Sequence, residues 1–295
     1  MPGWFPLILG SAVALGCYDF CKKTAVQGNR VMPVLFWATL TGSGALVILS
    51  VASGHFLEHL ACGWRVWLMI LLKSCIVASS WIAGYYALHD LPISIASPVR
   101  ASSPVWATIG GAVLLREIPS PLQALAMAVI FAGYFTFSVI GKAEGLSWRC
   151  RGIRMVVAAT LLGASSALYD RFLMHVMQLN PNVVQLHFSI NLVAIIGLCW
   201  LMQPHCRMLH EEGSFQWRWA IPAIGVLLII ADWLYFNAVT YPDAQIGMIA
   251  VLRRLSVCVS FLCGACFLKE QNLLRKSGAL LLILAGVLLL AWAKR

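Results

Sequence analysis

The sequence predicts an all-α membrane protein of ten transmembrane helices, arranged as two inverted five-helix repeats. Three observations carry that expectation. The 295 residues are 61% apolar and only 11% charged, with a mean hydropathy of +0.84, where a soluble domain carries about 25% charge. Ten stretches approach the roughly 20 apolar residues that a helix needs to cross a bilayer core. The second half also repeats the first: an offset of 153 residues brings Arg253 onto Arg100. Disorder is excluded, because it requires low hydrophobicity and high charge.

In chain order the spans are expected near residues 4–21, 32–52, 64–88, 93–115, 121–141, 152–176, 182–202, 217–239, 244–268 and 272–293. Their length and lack of period-two alternation argue for helices rather than a barrel. The breaks carry turn chemistry: Gly28-Asn29, His89-Asp90-Leu91-Pro92, Pro119-Ser120-Pro121, Asn180-Pro181 and Tyr241-Pro242-Asp243. The first span lacks a basic n-region and a small-residue cleavage site, so it reads as retained rather than as a removed signal.

Ten spans put both termini on one side of the membrane. Of the 21 Lys and Arg, four lie inside spans, five on the terminal side and twelve on the other. The positive-inside rule then makes the side with twelve cytoplasmic and both termini external. Most of the cysteines lie within spans, where they act as small apolar residues. Cys263-x-x-Cys266 has redox or metal spacing but no neighbouring Cys or His pair, so packing is the expected role.

The repeat extends beyond the arginines. At the same offset Ser103 meets Ser256, Gly111-Ala112 meets Gly264-Ala265, Arg116 meets Lys269, and Glu117 meets Glu270. With a two-residue slip, Tyr18-Asp19 meets Tyr169-Asp170. Apolar coincidences are common in membrane helices, but matched Arg and Glu at one offset are not. The units are residues 1–145 and 146–295. Each holds an odd number of spans, so the second enters the membrane from the opposite side. Inverted repeats allow one fold to open to either face in turn, with a site near the midplane.

Two such units, with Leu-Leu-Arg-Glu at 114–117 closing the fourth span and Phe-Leu-Lys-Glu at 267–270 closing the ninth, resemble the drug/metabolite transporter superfamily, nearest its EamA-type ten-helix carriers. The resemblance spans essentially the whole chain. It implies a multi-pass protein, expected in the bacterial inner membrane, with the third, fourth, eighth and ninth helices around a cavity and the fifth and tenth at the periphery. It also implies cytoplasmic termini, opposite to the charge count.

Ionisable side chains inside a bilayer cost several kcal/mol and are functional candidates by default. Arg100, flanked by Pro98 and Pro104, and its counterpart Arg253, followed by Arg254, offer guanidinium forks suited to carboxylate or phosphate. The plainer alternative is that they pair with Asp232 or with helix-end carbonyls. A basic pair in the ninth span is also similar to that of the superfamily's sugar-phosphate carriers, which favours an anion. Asp232 could bind an amine, carry a proton or neutralise Arg253. Asp19 and Asp170 read first as interfacial anchors or partners of Lys22 and Arg171, and Lys73 as a cavity or snorkelling residue. Trp81, Tyr85 and Tyr235 are the candidate apolar walls; Trp106 and Trp233 lie on the same spans. Gly110-Gly111 and Gly264 are expected at close helix crossings.

The expected activity is secondary transport of a small polar metabolite, an organic anion or zwitterion, by alternating access, with possible proton coupling. An amino-acid or drug exporter with structural arginines is the alternative within transport. A membrane-embedded enzyme is the rival class, but no acid–base or metal cluster supports one. His55-x-x-x-His59 and His205-Cys206 with His210 lie in loops without carboxylates, so neither a metal nor a cofactor is expected. The net charge of +10 is scattered, which fits loops at a lipid bilayer and not nucleic acid. No feature bears on oligomeric state.

Overall fold

The computed structural model describes residues 3–26, 29–90, 100, 102–139, 151–203 and 214–256, and singly 258, 259, 263, 278, 281, 282, 285, 286, 289 and 292. Side chains are described for all of these except 23, 85, 88–90 and 134–139. The regular elements among them are helical. They are α1 (Trp4–Val26), α2 (Val31–Ala52), the short α3 (Phe56–Leu60), α4 (Trp64–Asp90), α5 (Ser103–Leu114), α6 (Pro121–Val139), α7 (Arg151–Arg171), α8 (Pro181–Met202), α9 (Ala220–Val239) and α10 (Ile246–Arg253). Six are long and apolar enough to cross a membrane: α1, α2, α4 over Trp64–Gly84, α7 with its extension to Val176, α8 and α9. Of the other four expected spans, α5 and the Pro121–Gly133 part of α6 form shorter apolar helices. Helix α10 covers the start of the ninth, and most of the tenth lies outside the described residues.

Helix boundaries follow the punctuation. Pro121 and Pro181 start their helices at positions where a missing N–H has no helical partner to lose. The Asn180 side chain caps α8 by accepting from the Asn182 N–H at 2.9 Å. Helix α1 runs past its expected end at residue 21, because nothing breaks it before Gly28. Neither α3 nor the π-helical turn Phe172–Val176 that extends α7 was expected from the apolar runs.

Two antiparallel pairs form the frame. Helix α1 lies on α9: Trp4 bonds Asp243 beyond one end, Ser11 bonds the Ala231 carbonyl midway, and Thr24 accepts from Arg218 at the other end. Helix α4 lies on α7: Lys73 meets Asp170, Ser80 bonds the Ala159 carbonyl, and Tyr86 lies under Arg151. Helix α2 crosses α9 at backbone distance, since a Cβ on Gly42 would lie 2.6 Å from the Gly225 carbonyl oxygen. The expected crossing at Gly110-Gly111 packs against Leu168 and Ile246; Gly264 lies outside the described residues. The shared core gathers Trp4, Ile8, Ile70, Phe188, Phe236 and Ile249 between these helices.

Candidate functional site

Between the two pairs lies a cavity of about 290 Å³, lined by α1, α4, α5, α7, α8, α9, α10 and the turn that follows α10. Among the described residues it takes five cations, Lys22, Lys73, Arg100, Arg253 and Arg254, and three carboxylates, Asp19, Asp170 and Asp232. Such concentration follows from cost: a charge facing lipid is expensive, so charges in spans turn toward protein or an aqueous recess.

The inner part of the cavity is closely paired. The Lys73 ammonium on α4 donates to Asp170 Oδ1 on α7 and lies 4.2 Å and 4.5 Å from the ring centroids of Phe188 and Phe236. The Tyr235 hydroxyl donates to Asp170 Oδ2 at 3.1 Å. Above the Tyr235 ring, at 4.1 Å, sits the Arg253 guanidinium, which donates through Nη2 to Asp232 Oδ1. Ion pair, hydroxyl and ring therefore form one chain from α4 through α7 and α9 to α10.

The outer part is more exposed and less satisfied. Asp19 is exposed to the cavity, attracted by Lys22, Arg100, Arg254 and Arg253. Arg100 makes no hydrogen bond or ion pair among the described residues. Arg253 Nε is buried and likewise has no partner among them. A buried N–H without an acceptor costs about 1–3 kcal/mol.

Of the residues singled out in the sequence, Arg100, Arg253, Arg254, Asp232, Trp81 and Tyr235 all line this cavity. The side chain of Tyr85 lies outside the described residues. Trp106 and Trp233 point away, 47% and 44% exposed, and Trp233 instead donates to Asn182 at 3.1 Å. The sequence reading left Lys73–Asp170 unpaired; a contact across 97 positions has no local signature. Asp170 is buried, and its partner is Lys73 rather than Arg171. The His55 and Glu58 pair is exposed, His205, Cys206, His210 and Cys266 lie outside the described residues, and no metal-binding group occurs among those described.

A second buried charge cluster lies just beyond the inner end. The Leu-Leu-Arg-Glu segment stops α5 with Arg116 in the left-handed region at φ 57°, and the Glu117 N–H returns to the Gly111 carbonyl at 3.0 Å. This turn aims Glu117 inward. Its carboxylate accepts from Arg171 Nε at 2.6 Å and from the Ile246 N–H at 2.7 Å, at the start of α10. Arg171 also donates to the carbonyls of Val239, Tyr241 and Pro242 at 2.7, 2.7 and 3.0 Å. The end of α7 is thus tied to the α9–α10 link.

The sequence of this helical frame, from α1 through α6, matches a known family over residues 3–139. The match is to the model of the EamA-like transporter family. The description of that family is of transporters. A solved crystal structure is similar over 98% of both chains, with a TM-score of 0.79 at 19% identity; it shows that the fold extends beyond the EamA-like segment through α7–α10. Comparison with curated proteins gives no match.

Proposed function

We propose that this EamA-like chain is a secondary transporter, a ten-span carrier of two inverted repeats that moves a small organic anion or zwitterion across the inner membrane by alternating access. The observation that carries the reading is the central cavity, with two more cations than carboxylates and an unpartnered guanidinium N–H among the described residues. An excess of positive charge in a low-dielectric recess favours an anion strongly. Its volume of about 290 Å³ suits a metabolite rather than a polymer. Arg253, Arg100 and Arg254 would hold the anionic group, and Trp81 and Tyr235 the apolar part.

The packing supports the inverted repeat. Exchanging α1, α2, α4 and α5 with α7, α8, α9 and α10 turns the contact of α1 on α9 into that of α7 on α4. It also turns α2 on α9 into α8 on α4, and α5 on α7 into α10 on α1. One observation favours the alternative of structural arginines: Arg253 already holds Asp232. That pairing occupies one nitrogen of a fork with five donor hydrogens, and Arg100 has no such pair among the described residues.

The test is thermal unfolding of the full chain in detergent with succinate, glycerol 3-phosphate, glutamate and putrescine. Binding raises the midpoint with concentration. Stabilisation by one of the anions, lost in Arg253→Gln, is expected. Stabilisation by putrescine alone overturns the anion preference.

A further inference from the structure

We infer that the carrier takes a proton together with its anion, and that Asp170 is the residue on which the proton rides. This deepens the anion-carrier reading and rests on it. Three carboxylates line the cavity, and they differ in what a bound anion would do to them.

Asp232 need not change its charge. Its partner Arg253 engages it through Nη2 alone, while Nε stands unpartnered. A guanidinium presents its donors on separate edges, so Arg253 can hold cargo and Asp232 at once. Asp19 lies in the exposed outer part among four cations, and one anion added there leaves it well compensated.

Asp170 is held differently. Its cation is an ammonium, a compact point charge, lodged between the faces of Phe188 and Phe236 with Asp170 as its one hydrogen-bond partner among the described residues. Lys73 lines the same cavity as Arg253, so an anion held by Arg253 that extends along the cavity to Lys73 takes the charge that keeps Asp170 ionised. A buried carboxylate that loses its counter-ion binds a proton rather than stay charged. The proton comes from water in the compartment to which the cavity is open and adds to Asp170 without breaking any covalent bond.

The surroundings fit that exchange. Facing Asp170 are Lys73 on α4, Tyr235 and Asp232 on α9, and Arg253 on α10 beyond the Tyr235 ring. On its own helix Tyr169 and Arg171 flank it, with Glu117 behind Arg171. Arg100, Asp19 and Lys22 lie in the outer cavity, and α8 contributes the ring of Phe188. The Tyr235 hydroxyl can donate to the carboxylate or accept from the carboxylic acid. Arg171, the next residue, holds the α9–α10 link through three carbonyls, and the π-helical turn follows directly. Discharging Asp170 therefore loosens α7 from α4 at the point where α7 ties the inner end.

The experiment uses the full chain in lightly buffered detergent with a pH-indicator dye. The probe is succinate or glycerol 3-phosphate, whichever stabilises more. About one proton taken up per bound anion is expected at neutral pH, accompanied by the infrared carbonyl band of a protonated carboxylic acid. Asp170→Asn should abolish both while still being stabilised by the probe. Asp170→Glu should keep proton uptake and move the band, which answers the question even where Asp170→Asn fails to fold. Stabilisation without proton uptake, or a band unmoved by Asp170→Glu, overturns the inference and leaves the anion carrier standing. Stabilisation by neither anion overturns the carrier's anion preference itself.

Discussion

Arg171 and Arg253 are both arginines in apolar helices, and their surroundings set them apart. Arg171 has Glu117 on Nε and carbonyl oxygens on both terminal nitrogens, and its side chain is 2% exposed. Arg253 has one carboxylate on Nη2, a tyrosine ring beneath it, an orphaned Nε and 24% exposure. Burial of a charge therefore does not distinguish framework from site. The number of donors left unsatisfied does, because a framework charge is closed by the chain's own acceptors whereas a site keeps donors for a visitor.

The largest expected effect breaks the satisfied member. Arg171→Leu would leave Glu117 buried without its cation and strip the Val239, Tyr241 and Pro242 carbonyls of their donor. Removing one partner from a buried charge pair costs about 3–5 kcal/mol, read as a large fall in the unfolding midpoint in detergent. Arg171→Lys should recover only part of it, since an ammonium cannot reach four acceptors in one plane. A midpoint near wild type for Arg171→Leu would mean that this cluster is not what ties the α9–α10 link.

Arg253→Gln is expected to show the opposite profile. Its ion pair is partly solvated, so the stability loss should stay near 1–2 kcal/mol, while anion transport into liposomes falls at least tenfold. Arg253→Gln with Asp232→Asn sharpens the contrast: removing both charges should restore much of the midpoint and none of the transport. Transport undiminished in Arg253→Gln would return this arginine to the framework.

The two arginines were unequally legible. Arg253 stood out because its counterpart Arg100 recurs at a fixed offset in the first half, and mirrored charges in apolar spans have few explanations besides a shared site. Arg171 has no charged counterpart at that offset, and at the end of a span it stood only as a partner for the neighbouring Asp170. Its role depends on Glu117, whose inward turn requires Arg116 in the left-handed region, a conformation that non-glycine sequence does not advertise. The Lys73–Asp170 pair was hidden for another reason: each residue was visible, but their meeting depends on the antiparallel register of α4 on α7. Apolar run length located most helices well, because the bilayer fixes how long such a run is. It said nothing of which face each helix turns inward, where an intramembrane helix has apolar residues on every side.

Arg100 extends the comparison to a cation with no hydrogen-bonded partner among the described residues. With no pair to break, Arg100→Gln should change the midpoint by no more than about 0.5 kcal/mol in stability. A solvated charge contact is worth about 1 kcal/mol at most, so anion affinity should weaken by roughly fivefold, with a shallower dependence on salt. A stability loss comparable to that of Arg171→Leu would reveal Arg100 as a second framework charge.

The smallest effect is expected where an aromatic residue shares a helix with the site but not its face. Trp106 lies two positions after the cavity-lining Pro104, which turns it about 200° around α5, and it is 47% exposed. Trp233 follows Asp232 directly, yet it turns outward to Asn182. Trp106→Leu should leave transport within about twofold, and Trp233→Leu should forfeit only an exposed hydrogen bond of about 1 kcal/mol. The pair tests which face of α5 and of α9 looks inward, independently of any charge. Loss of transport in Trp106→Leu with an unchanged midpoint would mean that α5 presents a different face to the cargo, and the assignment of Arg100 to the same cavity would fall with it.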